Sequence, residues 1–295
     1  MQHLDLIYRI VTIIFPIFAI VAAGYIYSRR HKPDMSAANR INMDVFTPAL
    51  ILDIMSASDF SLVNYAGLAA AALLVMLGSG IIAWIVARVF GFQWKTFVPP
   101  MMFTNSGNMG VPLILLAFGK AALPAAIVLL ALENFLHFTL GQKMLNRRAS
   151  MLSIAKNPMV VTTVAGIGLS SFGINIPEII RLPVSMLGQI AIPLMLFSLG
   201  ARLTEIEIKD WKIALAGTLV CPLGGILIAL LILPLFSLPA EQVPILLLFS
   251  ILPPAVLNYI VAEQFDQQPQ LVASIVLIGN LSSLVTIPVI LWFIL

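Results

Sequence analysis

Charge is scarce in this sequence: Asp, Glu, Lys and Arg make up 10% of its 295 residues, against roughly 25% in soluble domains, while 60% are hydrophobic. A chain so composed lives in lipid. Cysteine is nearly absent. Cys221 stands alone inside an apolar run, which excludes an internal disulfide or a cysteine metal site and leaves it a packing residue. Catalytic signatures are missing as well: there is no GxxxxGK[ST] to hold ATP, no HExxH, no GxSxG and no paired-aspartate motif. Neither an enzyme nor a bound cofactor is expected, and ATP is not the direct drive. The modest basic excess, a net charge of +3, reflects membrane topology rather than a nucleic acid partner. The opening MQHLDLIYRI carries no basic cluster or A-x-A site, so it reads as the start of a retained first span.

What is present is a series of apolar runs. Ten reach membrane-spanning length, at residues 6–27, 37–57, 62–89, 96–119, 122–141, 158–173, 183–203, 211–236, 242–262 and 270–293, and no soluble domain is left over. With the N-terminus outside, 13 of the 16 Lys and Arg fall in or beside cytoplasmic loops, and Arg9, Lys120 and Arg181 remain outside. The positive-inside rule thus predicts N-out and C-out in the plasma membrane. Arg147 and Arg148 sit in the central loop, where a topology signal or an anionic-lipid contact would account for them.

The fourth span is the anomalous one. Its middle, NSGNMGVP at residues 105–112, places polar side chains, two glycines and a proline at mid-depth. Backbone that leaves helical geometry in hydrocarbon strands N–H and C=O groups at several kcal/mol each, so it survives only inside protein or beside a wet cavity. The stretch predicts a broken helix at a solute site. Pro112 starts the second half, whose N-terminus points unpaired donors and a positive dipole end at the membrane centre, which suits an anion.

The chain also repeats itself. Pro193, Pro244 and Pro269 each lie 145 residues beyond Pro48, Pro99 and Pro124, in matching contexts. Two units of five spans, 1–145 and 146–295, follow, and an odd number of spans turns the second unit upside down. The same offset carries the break to residues 250–257, where Pro253 and Pro254 cannot both donate to a helix ladder. The fold class expected is therefore an all-α polytopic membrane protein, ten helices in two inverted repeats, with broken spans 4 and 9 crossing near the membrane centre.

The run NxGxxGxP with its trailing AFG, the FTPALIL segment of span 2 and LPPAVLNYIVAEQF in span 9 resemble the auxin efflux carrier family, related in fold to the bile acid:sodium symporters. The resemblance covers essentially the whole chain and implies a scaffold domain of spans 1, 2, 6 and 7 and a transport domain of spans 3–5 and 8–10. It implies elevator-like carriage of an organic anion near the crossing. Bacterial members look like carriers of small carboxylates such as malate or malonate. A loop of only residues 142–157 between the halves makes a compact prokaryotic permease the nearer match. Oligomeric state stays open, a homodimer through the scaffold domain being one form.

Substrate-binding candidates are Asn105, Ser106, Gly107, Asn108 and Gly110 in span 4, Pro253, Pro254 and Asn258 in span 9, and Gln189 in span 7 as a scaffold-side contact. The asparagines could instead patch the broken backbone. Gly107 and Gly110 allow a turn and close approach of span 9, and their N–H groups could serve the anion. Glu133, Asn134 and His137 in span 5 form the ion-coupling candidates. Glu133 is a cation ligand or proton carrier with His137 as relay, or the two are a structural pair between helices. No metal site is expected, and Na⁺ or H⁺ coupling stays open. A carrier for a small organic anion is the leading function, beside a channel or solute sensor on the same fold and, third, an intramembrane enzyme.

Overall fold

The computed structural model describes residues 2–57, 60–146, 157–174, 176–204 and 209–295. Among them every regular element is helical and no strand forms; a lone antiparallel bridge joins Thr104 to Pro254. Six helical stretches are long and apolar enough to cross a membrane: His3–His31, Leu62–Phe90, Lys120–Leu145, Glu178–Arg202, Trp211–Leu235 and Pro269–Ile294. A helix is what hydrocarbon demands of such runs, because it satisfies each backbone donor within the segment. Large apolar side chains on their outer faces, such as Phe15, Leu219, Leu223 and Phe293, are exposed, as lipid contact allows.

In chain order the helices are α1 (Gln2–His31), α2 (Ser36–Ile41), α3 (Thr47–Met55), α4 (Ala66–Phe90), α5 (Trp94–Met102), α6 (Val111–Phe118), α7 (Leu123–Leu136), α8 (Gln142–Leu145), α9 (Pro158–Ser171), α10 (Glu178–Arg202), α11 (Trp211–Ile232), α12 (Val243–Ser250), α13 (Leu257–Gln264) and α14 (Pro269–Ile294). Their ends follow local chemistry. Gly91 closes α4 at φ 73°, a left-handed position open to glycine. The Asp210 carboxylate caps α11 by accepting from the Lys212 N–H at 2.8 Å, and Asn157 caps α9 in the same way through Met159. π-helical turns interrupt three runs, at Asn42–Phe46, Ser106–Gly110 and His137–Gly141. Span 2, read as one helix from sequence, is thus α2, a π turn and α3, and span 1 is longer than its expected 6–27.

Packing sorts the helices. α10 lies along α1 and against α3, and α9 covers α3, while α11 packs on α4 and α14, and α5 on α4. The α1–α10 contact is backbone to backbone: a Cβ on Gly200 would strike the Val21 carbonyl, and one on Gly24 the Phe197 carbonyl. Fully buried Phe97, Phe103, Met101, Met109, Leu113 and Phe249 fill the centre around the two interrupted runs. The basic residues Arg147, Arg148 and Lys156 of the central loop lie outside the described residues.

Candidate functional site

The chain leaves helical geometry twice, after Met102 and after Ser250, and the two departures satisfy one another. Phe103 is extended (φ −107°, ψ 105°), and the Asn105 N–H donates to the Pro253 carbonyl at 2.7 Å while the Ala255 N–H donates to the Phe103 carbonyl at 3.0 Å. Pro253 and Pro254 bring carbonyls without N–H groups, so neither adds a donor to be satisfied at the break. The Phe103 carbonyl accepts a second bond from Asn258 Nδ2 at 2.8 Å, and the Pro254 carbonyl accepts from Asn280 Nδ2 at 3.0 Å. Asn105 Nδ2 completes the knot by donating to Asn280 Oδ1 at 2.9 Å. Asn105, Asn258 and Asn280 are all buried.

These bonds divide the candidate amides. Asn258 donates its amide hydrogens to the Phe103 and Ala255 carbonyls and is not part of the cavity wall, while Asn105 donates to the Asn280 side chain and also lines the cavity. Asn108 makes no such bond. Span 4 does not continue as a helix through residue 105, so the two asparagines do not share a helical face: Asn105 precedes the π turn, and Asn108 within it opens onto a cavity of about 130 Å³ with no side-chain bond to any described residue. Pro253 and Pro254 sit behind this wall. Gly110 permits the close approach, since a Cβ there would meet Leu252 Cδ1 at 2.8 Å, and the same construction on Gly107 touches Leu130 at 3.4 Å.

The cavity is walled by residues 104–108 of the first break, by α7 and its π turn through Leu130, Glu133, Asn134 and His137, and by Val256, Leu257 and Ile260 at the start of α13. Its other wall is Asn39, Met43 and Thr47 from the α2–α3 run, Met195, Ser198 and Arg202 from α10, and Met159 from α9. Two helix starts face it. In the continuous helical stretch Ser106–Phe118 the first bonds run from the Met109 and Gly110 N–H groups to the Asn105 carbonyl, so the N–H groups of Ser106, Gly107 and Asn108 precede the ladder. In α13 the Asn258 N–H is the first to find a local acceptor, the Ala255 carbonyl at 3.1 Å. Both positive dipole ends are thus presented to the same small space.

Two hydroxyls on the wall have no partner among the described residues. The hydroxyls of Thr47 and Ser198 are buried without a hydrogen bond, while the Glu133 carboxyl lies within interaction range of Ser106 and of Thr104, whose hydroxyl donates to Oε2 in a long bond of 3.5 Å. Buried polar atoms of native proteins are nearly always paired, so a pair of orphans around one cavity marks a place for a polar guest. Arg202 supplies the positive side chain of the wall, half-buried near its rim with Asn39. His137 stacks on Phe103, ring centroids 4.3 Å apart and 9° from parallel, and a Cβ on Gly141 would press on both rings. Asn134 donates to Met159 Sδ at 3.5 Å. Gln189 is not brought to the site: it is exposed on α10, within 3.5 Å of the Ser185 hydroxyl, and absent from the wall. Among the described residues no three His, Cys, Asp or Glu side chains gather to hold a metal.

Sequence reasoning missed Arg202, which it counted as a topology charge, and Asn39, Thr47 and Ser198. It also missed Asn280, which lies eleven residues after Pro269, the counterpart of Pro124 in the repeat.

A helical membrane chain broken twice around a polar cavity is the build of a transporter, and comparison with known proteins gives the class. The family described as "Membrane transport protein" matches residues 9–154 and 147–291, and the chain belongs to it, the family of the auxin efflux carriers. It is a multi-pass membrane transporter and not an enzyme. A protein of Rhizobium meliloti (strain 1021) described as "Putative malonate transporter" is 23% identical over 314 residues, covering 97% of this chain and 96% of the relative.

Proposed function

We propose that the protein is a secondary carrier for a small carboxylate, bound in the cavity beside the two breaks. The observation that carries this is the convergence of two helix starts, the Asn108 amide, the Ser198 and Thr47 hydroxyls and the Arg202 cation on one cavity of about 130 Å³. Helix N–H groups, hydroxyls and a guanidinium together are the donor set that a carboxylate accepts from. Drug-sized pockets run to roughly 300–1,000 Å³, so the volume favours an acid of a few heavy atoms. The description of the Rhizobium meliloti relative as a malonate transporter puts malonate first among such acids.

Glu133 adds a coupling device to this reading. Two unit charges at about 4 Å repel by roughly 4 kcal/mol at an effective dielectric of 20, so an ionised Glu133 and a bound carboxylate exclude one another unless a proton or Na⁺ accompanies them. Substrate and cation would therefore bind together. Movement follows the sorted packing: α1, α2–α3, α9 and α10 form the scaffold, and the remaining helices, with both breaks, slide past it. The two breaks, with the prolines at an offset of 145, support ten spans in two inverted repeats. With N-out topology the half-buried rim at Asn39 and Arg202 faces the cytoplasm.

The test is a thermal shift of detergent-purified protein against mono-, di- and aromatic carboxylates, with and without Na⁺ at two pH values. A ligand held by the folded state raises its apparent stability by mass action. A rise confined to short carboxylates is expected, steeper with the coupling cation. A folded protein that no acid stabilises would contradict the assignment.

A further inference from the structure

We propose that a second anion site lies where α1 and α10 separate, and that its ligand is the phosphate group of an anionic phospholipid. Gly24 and Gly200 hold the two helices backbone to backbone. One turn beyond each contact stand Ser28 and Thr204, and there the helices part around an open pocket of about 530 Å³ lined by Ser28, Arg29, Lys32, Pro33 and Thr204.

Three features of this pocket point to a phosphate. Among the described residues, two of the five that line it are cationic and none is acidic. Ser28, 5% exposed, lines the pocket, and its hydroxyl has no hydrogen-bond partner among the described residues. Such a donor, left unmet beside two cations, matches an oxyanion with several acceptor oxygens. The Arg29 cation is also held in place. Arg29 Nη1 donates to the Tyr25 hydroxyl at 3.3 Å and its guanidinium lies 5.9 Å from the Tyr25 ring centroid, while Lys32 closes α1 with its N–H on the Ser28 carbonyl at 2.9 Å.

Depth selects a lipid over a soluble phosphate. α1 has 30 residues and spans about 45 Å, close to the thickness of a bilayer with its headgroups. Its last turn is therefore at headgroup level, and the exposed Tyr25 and Tyr27 beside it are the side chains that membrane interfaces collect. Basic residues there meet the anionic lipids of the cytoplasmic leaflet. The pocket is distinct from the carboxylate cavity, because the α10 terminus turns Arg202 to the cavity and Thr204 to the pocket.

Native mass spectrometry of the full-length protein tests this, with phosphatidylglycerol, phosphatidylcholine or inorganic phosphate added to the detergent solution. Phosphatidylglycerol adducts are expected to outlast phosphatidylcholine adducts, and the double variant Arg29→Gln/Lys32→Gln should bind phosphatidylglycerol about tenfold more weakly. Arg88→Gln, which removes a cation stacked 5.0 Å over Trp84 on α4, should leave binding unchanged. Both substituted sites are exposed, so folding is retained. Equal loss in both variants, or no loss in either, overturns the site. Displacement of the lipid by equimolar inorganic phosphate overturns the lipid as its ligand.

Discussion

Three asparagines show how little a residue's type says about its job. Asn105, Asn108 and Asn258 stand at the breaks and look alike in sequence, yet Asn258 Nδ2 holds the Phe103 carbonyl, Asn105 holds Asn280, and Asn108 faces the cavity. The partners are 155 and 175 residues away along the chain, beyond the reach of any local pattern. Two variants separate the roles. Asn258→Ala leaves a buried carbonyl short of a donor and should lower stability by about 1–3 kcal/mol in a denaturation series. Asn108→Ala should keep stability within about 0.5 kcal/mol but lose the carboxylate-induced thermal shift. Equal destabilisation by both would place Asn108 among the structural amides. Glu133 was visible as an intramembrane acid before any fold was known. Glu133→Gln should flatten the pH and Na⁺ dependence of transport, and unchanged profiles would return it to a structural role. Arg202 was hidden because a basic residue at the end of a span is also what topology demands.

At the scale of elements, the break in span 9 was readable and the π turns were not. Two adjacent prolines remove two donors from a helix, and the structure ends α12 at Ser250 and resumes at Leu257. A π turn needs no special residue and shifts the helical phase by a single position, so an apolar run conceals it. All three π turns nevertheless border the cavity, giving Met43, then Ser106 to Asn108, then His137. Such turns gather at functional sites, because the extra residue re-aims side chains without ending the helix. The proline pair has a directional prediction. Pro253→Ala/Pro254→Ala restores two backbone donors and lets α12 continue, in competition with the bonds that tie residues 253–255 to Phe103 and Asn105. Carboxylate binding should weaken at least tenfold in the purified variant while helical content by circular dichroism holds or rises. Unaltered affinity would show that the knot is not needed for the site.

For the whole molecule, composition gave the membrane and hydropathy gave the long apolar helices, six of which among the described residues are long enough to cross it, while the cavity required the long-range packing of α10 and the α2–α3 run against the broken helices. The proposed sliding of one group past the other has its own test. Met195 on α10 and Ile260 on α13 line opposite walls. Cysteines at both, joined by a bifunctional thiol reagent, should arrest transport, and either cysteine alone should not; native Cys221 is buried and does not compete. Continued transport by the joined protein would rule out that movement. Carboxylate carriage at the breaks is put to the test by counterflow of radiolabelled malonate in proteoliposomes. Saturable uptake accelerated by malonate inside the vesicles is expected, abolished in Asn108→Ala and reduced at least tenfold in Arg202→Gln, with both variants folded. Uptake that neither saturates nor responds to internal malonate, or that both variants retain in full, would contradict it.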